Sequence, residues 1–268
     1  MTPLLLTHYT AVSGLGRGCE ATLAALESGR GALQACRFDT AVLDTRVAEV
    51  SGLDELTLPA ALRAYDCRNN RLAHLGLSQD GFDEHARARV AHWGARRVGV
   101  FMGTSTSGIL QTEIAYRRRD PLTGELPPRF DYAHTHNSFS LTDFVRRRLG
   151  IEGPAVTVCT ACSSSAKVFA AAQRMIAADL IDAAVVGGVD SLCLTTLYGF
   201  HSLQLTSRTP CRPFDIERDG LSIGEAAAFA LLERVPDSVD ADATLLLGAG
   251  ESSDAHHISA PDPAGRGA

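Results

Sequence analysis

The chain has 268 residues, of which 45% are hydrophobic and 21% charged, and its formal net charge is −6. This length and composition are typical of a globular protein that can bury one large core or two smaller ones. The net negative charge excludes a general attraction to nucleic acid or to anionic membranes. The opening "MTPLLLTHYT" lacks a basic region and a long apolar run, so we expect no signal peptide, no membrane span and a cytoplasmic location.

Short apolar runs alternate with helical patterns along the chain, as they do in α/β folds. The predicted strands are 4–7, 98–102, 155–158, 183–186, 226–232 and 244–247. The predicted helices are 20–28, a stretch around 58–75, 109–118, 140–149 and 164–178. Because the strands are almost continuously apolar, we expect a sheet that is covered on both faces. The Pro- and Gly-rich stretch 117–132 is predicted to be a surface loop.

The predicted helix 140–149 has both a packing signal and a stop signal. Leu141, Phe144, Val145 and Leu149 recur at the spacing of one helix face and form an apolar stripe. Gly150 follows directly, at the position where a glycine commonly ends a helix. We therefore expect this helix to pack on the sheet and to end at that glycine.

The stretch "AVTVCTACSSSAKVF" places Cys159 and Cys162 at a C-x-x-C spacing. The run "AVTV" predicts a strand and the alanine-rich run from Ser164 predicts a helix, so Cys162 falls in the turn between them. The amides and dipole at a helix N-terminus favour a thiolate and supply donors for a developing oxyanion. Small neighbouring residues would let a bulky thioester approach. These features favour a nucleophilic cysteine.

Other roles for the two cysteines compete with this interpretation. A redox pair needs both thiols accessible, whereas Cys159 is predicted to lie at the strand end, inside the sheet. A zinc site needs further ligands at a suitable spacing, which the sequence lacks. Two ordinary buried thiols remain an open alternative to a nucleophile when the stretch is taken alone. The seven cysteines are expected to be reduced, and most of them to be small buried hydrophobes.

Three blocks of sequence together carry a family resemblance. The block "TACSSSA" at 160–166 resembles the nucleophile motif of the β-ketoacyl-acyl carrier protein synthases, which are condensing enzymes of the thiolase-like fold. The block "DAAVVGGVDS" at 182–191 resembles the strand and glycine turn that follow the nucleophile helix. The block "RPFDIERDGLSIGEA" at 212–226 resembles the signature R-P-F-D-x-x-R-D-G-x-x-x-G-E-G, with Ala226 at its last glycine. The signature block favours an elongating synthase.

The resemblance implies a reaction and a role for several residues. Cys162 would accept an acyl group as a thioester, and a malonyl unit on an acyl carrier protein would lose carbon dioxide and attack it. The backbone N–H of Cys162 would be one oxyanion donor, and Cys159 would be a packing variant. Phe200 would border the acyl pocket, although a plain core aromatic is an equal alternative. No cofactor and no metal are implied.

The resemblance also implies partners. An acidic acyl carrier protein needs a basic landing surface, for which Arg63 and Arg68 are the predicted residues. Two other arginine runs, at 117–119 and 146–148, are more commonly solvated faces than binding sites. A complete synthase is expected to be a homodimer or a heterodimer, with its nucleophile-bearing halves packed together.

The family's two histidine motifs, H-G-T-x-T and G-H-x-x-G-A-x-G, do not occur in the 268 residues. We therefore expect a thiolase-like N-terminal half in residues 1–240 and the beginning of a truncated second half in residues 241–268. Such a chain should not condense by itself. His256 and His257 are either residues at the pocket mouth or an ordinary loop pair. A non-catalytic partner or acyl-holding module of a condensing complex is the alternative function.

Overall fold

A computed structural model describes residues 2–257 and 260–267. Its strands are β1 (Leu4–Ser13), β2 (Gly16–Arg17), β3 (Gln34–Ala35), β4 (Arg46–Ala48), β5 (Val98–Gly103), β6 (Ala155–Val158), β7 (Ala183–Asp190), β8 (Ile223–Gly224), β9 (Ala226–Arg234) and β10 (Leu245–Leu246). Its α-helices are α1 (Cys19–Glu27), α2 (Arg68–Leu77), α3 (Phe82–Trp93), α4 (Ile109–Arg117), α5 (Phe139–Leu149), α6 (Ser164–Ala177) and α7 (Leu194–Ser202). A 3-10 helix at Ala60–Tyr65 precedes α2, and a π-helix at Tyr132–His136 precedes α5.

The larger sheet is mixed and has the strand order β10-β1-β9-β7-β5-β6, with β2 paired to β1. The strand β5 is parallel to both β6 and β7, whereas β9 is antiparallel to both β7 and β1. Helices connect the parallel strands, since such strands need a crossover connection. A smaller sheet has the order β3-β4-β8. The predicted α/β fold with a mixed sheet between helices is confirmed.

Helices cover the centre of the larger sheet on both faces. The side chains of α2, α3 and α5 pack on one face, where Phe144 and Val100 belong to the same buried cluster. The helix α6 packs on the other face, where Val168 and Phe101 share a second cluster. All six residues of β5 are buried as a result. The apolar stripe of α5 faces this core and the helix ends at Gly150, which has a φ of 72°, as expected.

One part of the larger sheet is open, which contradicts the expectation that both of its faces are covered. Tyr9 is 57% exposed on β1, and Ala226 and Ala228 are exposed on β9. Beside α6 a groove of about 480 Å³ is lined by Leu6 and Tyr9 of β1 and by Ala228 of β9, and Phe169 of α6 forms part of its wall. The helix α6 lies mainly over β5 and β7, so it leaves this part of the face uncovered.

Two α-helices, α3 and α7, were not predicted from the sequence, and one predicted helix is two separate helices in the structure. The helix α3 buries only Phe82 and Ala86, so its apolar stripe is narrow, and α7 has a mixed polar and aromatic sequence. The predicted helix around 58–75 is a 3-10 helix followed by α2. The strand β10 pairs with β1 in the larger sheet, with Leu246 opposite Leu4. The predicted domain boundary at 240 stays a prediction.

Candidate functional site

Cys162 lies where the sequence analysis placed it, in the turn between β6 and α6. The strand ends at Val158 and the helix begins at Ser164, and the side chain of Cys162 is exposed. The preceding residue, Ala161, has a φ of 53°, which is a left-handed conformation uncommon for a residue with a Cβ atom. This backbone is held in an unfavourable conformation directly before the cysteine.

Hydrogen bonds within and around the turn hold that conformation. The carbonyl oxygen of Ala161 accepts from the hydroxyl of Ser105 at 2.9 Å, and from the hydroxyl and the amide of Ser164 at 2.6 Å and 3.1 Å. The Thr160 amide donates to the Ser164 hydroxyl, and the Ser163 hydroxyl donates to the Thr160 carbonyl, both at 2.9 Å. Strained backbone persists only where its surroundings determine it in this way.

Two glycines let the first turn of α6 approach the sheet. A Cβ atom on Gly103 would lie 2.5 Å from the backbone carbon of Ser164. A Cβ atom on Gly188 would lie 2.4 Å from the Cβ atom of Ser165. Neither distance is tolerable, so the ends of β5 and β7 must be glycines for the helix to begin here. The second glycine of "VVGGVDS", Gly188, thus has a direct role in placing the cysteine turn.

Asp190, at the end of β7, holds the loop that carries Ser105. Its Oδ1 atom accepts from the amides of Ser105 and Thr106 at 2.7 Å and 2.8 Å. The same atom accepts from the hydroxyls of Thr104 and Thr106 at 3.0 Å and 2.8 Å. The Thr106 hydroxyl in turn accepts from the Ser191 amide. The loop after β5 is therefore tied to the end of β7 beside the cysteine turn.

A buried ion pair joins more distant segments. The side chain of Glu225 is fully buried and bonds the guanidinium of Arg68 at 2.7 Å and 2.8 Å. The same carboxylate accepts from the amides of Val50 and Leu192 at 2.9 Å and 3.1 Å. Burial lowers the pKa of Arg68, but its bonds to Glu225 and the nearby acidic groups outweigh burial and raise that pKa overall. Glu225 thus connects the segment after β4, the start of α2 and the segment after β7.

This burial argues against the carrier-docking role predicted for Arg68. Its side chain is only 6% exposed, and its guanidinium is already bonded to Glu225 and to Asp54. Arg63, in contrast, is exposed on the 3-10 helix. Phe200 is half-buried on α7, and its place at an acyl pocket stays a prediction. His256 is exposed, and its amide donates to Asp254 at 3.0 Å.

The cysteines differ from expectation in burial. All seven are free, but only Cys67 and Cys193 are buried, so the expectation that most are buried is wrong. Burial raises the pKa of the Cys67 thiol to about 12 and also raises that of Cys193, which makes both poor nucleophiles. Cys159 was expected inside the sheet and is exposed, because it lies just beyond the end of β6, a strand at the edge of the sheet.

The sequence analysis missed the roles of Ser105, Asp190 and Glu225. Asp190 and Glu225 lie inside the blocks that carried the family resemblance, so the sequence pointed to these residues but not to the contacts that they make. Ser105 follows the predicted strand 98–102, which the structure shows to be parallel to both of its neighbours, so it lies at the sheet edge where functional polar residues commonly lie. Among the described residues no cluster of three or more His, Cys, Asp or Glu could hold a metal ion. No helix in the described ranges is long and apolar enough to cross a membrane.

The family described as "Beta-ketoacyl synthase, N-terminal domain" matches residues 72–238 of this chain, which include the cysteine turn, Asp190 and Glu225. The chain belongs to the β-ketoacyl synthase family. Its fold agrees with this assignment. One chain of the structure of the ketosynthase ApeO in complex with its chain length factor ApeC, from Xenorhabdus doucetiae, is 34% identical with a TM-score of 0.84. That comparison covers 99% of this chain and 65% of the other.

Curated members of the β-ketoacyl synthase family give the same result. The 3-oxoacyl-[acyl-carrier-protein] synthase 2 of Rhizobium meliloti is 32% identical over 63% of this chain and 43% of its own length. The synthase of that name from Coxiella burnetii is 27% identical over 98% of this chain and 66% of its own length. The ishigamide ketosynthase/chain length factor, at 24% identity and a TM-score of 0.81, supports the fold alone. The chain thus spans about two fifths to two thirds of the length of these relatives.

Proposed function

We propose that this chain carries the nucleophile of a 3-oxoacyl-acyl carrier protein synthase that extends fatty acid or polyketide chains. The observation that carries the proposal is an exposed Cys162 on a strained, hydrogen-bonded turn at the start of α6, in a chain of this family. We further propose that residues 1–240 form the N-terminal half and that residues 241–268 begin the second half.

The first step is acyl transfer to Cys162. Its sulfur, as the thiolate, attacks the carbonyl carbon of an acyl-carrier thioester, and the carbonyl electron pair moves onto oxygen. The N–H of Cys162 donates to that oxyanion, and donors of this kind usually make the largest single contribution to stabilising such an intermediate. The carbon–sulfur bond to the carrier then breaks, and the carrier thiol leaves with a proton. The exposed turn gives the bulky thioester access to the sulfur.

The second step is decarboxylative condensation. A malonyl thioester loses carbon dioxide, and the resulting carbanion attacks the acyl carbon on Cys162, which releases the cysteine. The negative charge on the malonyl thioester oxygen needs preorganised donors, and removal of one such donor typically costs about a hundred- to thousandfold in rate. The histidine motifs that would supply them in this family do not occur in the 268 residues. We expect the chain alone to be acylated without condensing.

The proposed partners are an acidic acyl carrier protein and a second synthase chain, which gives a homodimer or a heterodimer. Arg63 is exposed and is the proposed docking residue. The strand β6 lies at one end of the strand order, so its outer edge is available to another strand. The apolar groove beside α6 would also need a cover. Support for a heterodimer comes from the similar structure in which the ketosynthase ApeO is in complex with its chain length factor ApeC.

The test is to incubate the purified chain with acyl- and malonyl-carrier protein and to map labelled peptides by mass spectrometry. We expect the acyl group on Cys162, no label in Cys162→Ala, and unchanged label in Cys159→Ser, which removes the other exposed thiol of the pair. Label on Cys159, or no selectivity in a folded sample, would contradict the nucleophile assignment. Repeated release of ketoacyl product by the chain alone would contradict the missing-donor argument, and His256 and His257 would then be mutated first.

The alternative function is a non-catalytic partner or acyl-holding module of a condensing complex. The observation that favours it is that a solved structure to which this chain is similar pairs the ketosynthase ApeO with a second protein, its chain length factor ApeC. A stable acyl-Cys162 that no added synthase chain can extend would support this alternative. Transfer of the acyl group into a ketoacyl product, after addition of a chain that carries the two motifs, would support the elongating synthase.

A further inference from the structure

The carbonyl of Ala161 has an unusual set of donors. Three hydrogen bonds reach this one oxygen, and two of them come from Ser164, within the same turn and helix. The third comes from the hydroxyl of Ser105, which lies 56 residues earlier in the chain, on the loop after β5. Ser105 is therefore the donor that connects this peptide group to a distant segment of the chain.

That peptide group also contains the N–H of Cys162. A peptide unit is planar and trans, so its carbonyl and its N–H point in opposite directions and cannot turn independently. A donor that fixes the Ala161 carbonyl consequently fixes the direction of the Cys162 N–H. Hydrogen bonds accepted by a carbonyl also polarise the peptide and strengthen its N–H as a donor. The Ser105 bond therefore acts on the group proposed to stabilise the oxyanion.

Ser105 is itself held rigidly. Its amide donates to Asp190 at 2.7 Å, and the same carboxylate oxygen accepts three further hydrogen bonds from Thr104 and Thr106. The side chain of Ser105 is exposed, so its hydroxyl has no packing role that would explain its bond to Ala161. A group that must direct a donor at the reacting atoms needs such supporting contacts to keep the donor in position.

We propose that Ser105, held by Asp190, is a positioning residue that orients the Ala161–Cys162 peptide so that the N–H of Cys162 stabilises an oxyanion on acyl groups attached at the sulfur. The role rests on the proposed function, in which Cys162 is acylated. It predicts a selective defect. Attack on an ester or thioester passes through an oxyanion, whereas displacement of iodide from iodoacetamide does not, so only the first reaction needs the oriented N–H.

The test compares two reactions of Cys162 in the full chain. With p-nitrophenyl acetate the sulfur takes the acetyl group and p-nitrophenolate leaves, and with iodoacetamide the sulfur is alkylated and iodide leaves. We expect Ser105→Ala to slow acetylation about three- to tenfold, the rate equivalent of one neutral hydrogen bond. Alkylation should be unchanged. Ser105→Thr, which keeps the hydroxyl, should restore acetylation. Ser28→Ala removes a comparable hydroxyl-to-carbonyl bond of 2.7 Å on the end of α1 and should change neither rate.

Each outcome is decisive. Equal slowing of both reactions in Ser105→Ala, no slowing of either, or failure of Ser105→Thr to restore acetylation would overturn the positioning role. Absence of Cys162 acetylation in the unaltered chain would also overturn it. The expected pattern with p-nitrophenyl acetate could be found together with no acyl transfer from any acyl-carrier protein. This result would support the positioning role and would overturn only the proposed synthase function.

Discussion

Replacement of Arg68 by methionine tests the buried ion pair at the centre of the fold. The substitution keeps a long side chain but leaves the fully buried carboxylate of Glu225 with two backbone donors, the amides of Val50 and Leu192. Removal of one partner of a buried pair costs about 3–5 kcal/mol, because the other charge stays desolvated and unpaired. This is a large part of the stability of an ordinary domain, about 5–15 kcal/mol. We expect Arg68→Met to unfold at much lower urea concentration than the unaltered chain.

The assay is urea unfolding at neutral pH, followed by circular dichroism and by the fluorescence of Trp93, the single tryptophan. Arg63→Met is the matched control, since its side chain is exposed and such changes usually alter stability by less than about 0.5 kcal/mol. Equal stability of the two variants would refute the argument that Arg68 is a structural residue. Arg68 would then again be a candidate for carrier docking.

Three further predictions concern the cysteine turn, acid stability and docking. Gly103→Ala should slow the acylation of Cys162 and lower stability by about 1–3 kcal/mol, because its Cβ would meet the α6 backbone. Gly199→Ala, whose Cβ would meet nothing within 4 Å, should leave acylation unchanged, and an equal effect of both would contradict the steric argument. Burial raises the pKa of Asp143, but bonds from a tyrosine and two arginines outweigh it and hold that pKa below its usual value. Ionised Asp143 therefore stabilises the folded state fully above its unfolded-state pKa of about 3.9, and this stabilisation is lost as the pH falls through the lower folded-state pKa. Asp143→Asn should thus make the free energy of unfolding depend less on pH in the acid range. An unchanged acid dependence would count against this. Arg63→Glu should weaken the binding of an acyl carrier protein, measured by titration. Iodoacetamide should still alkylate Cys162 at the normal rate. An unaltered affinity for the carrier would show that Arg63 is not part of the docking surface.

The sequence was sufficient for features that depend on neighbours along the chain. The stripe of α5 and its end at Gly150 follow from helical periodicity and from the low cost of a left-handed glycine, both local properties. The position of Cys162 between a strand and a helix was predictable for the same reason. The three family blocks also lie in continuous stretches of sequence, so the family could be recognised before any contact was known.

Only the tertiary structure decided which distant groups meet. Arg68 and Glu225 lie 157 residues apart, and an arginine is buried only where folding brings an acidic partner to it, so no local pattern distinguishes Arg68 from the exposed Arg63. The bond from Ser105 to Ala161 likewise exists because parallel strands align their carboxyl ends at one edge of the sheet. The exposure of Cys159 depends on which strand lies at the edge, and strand order is a property of the assembled sheet.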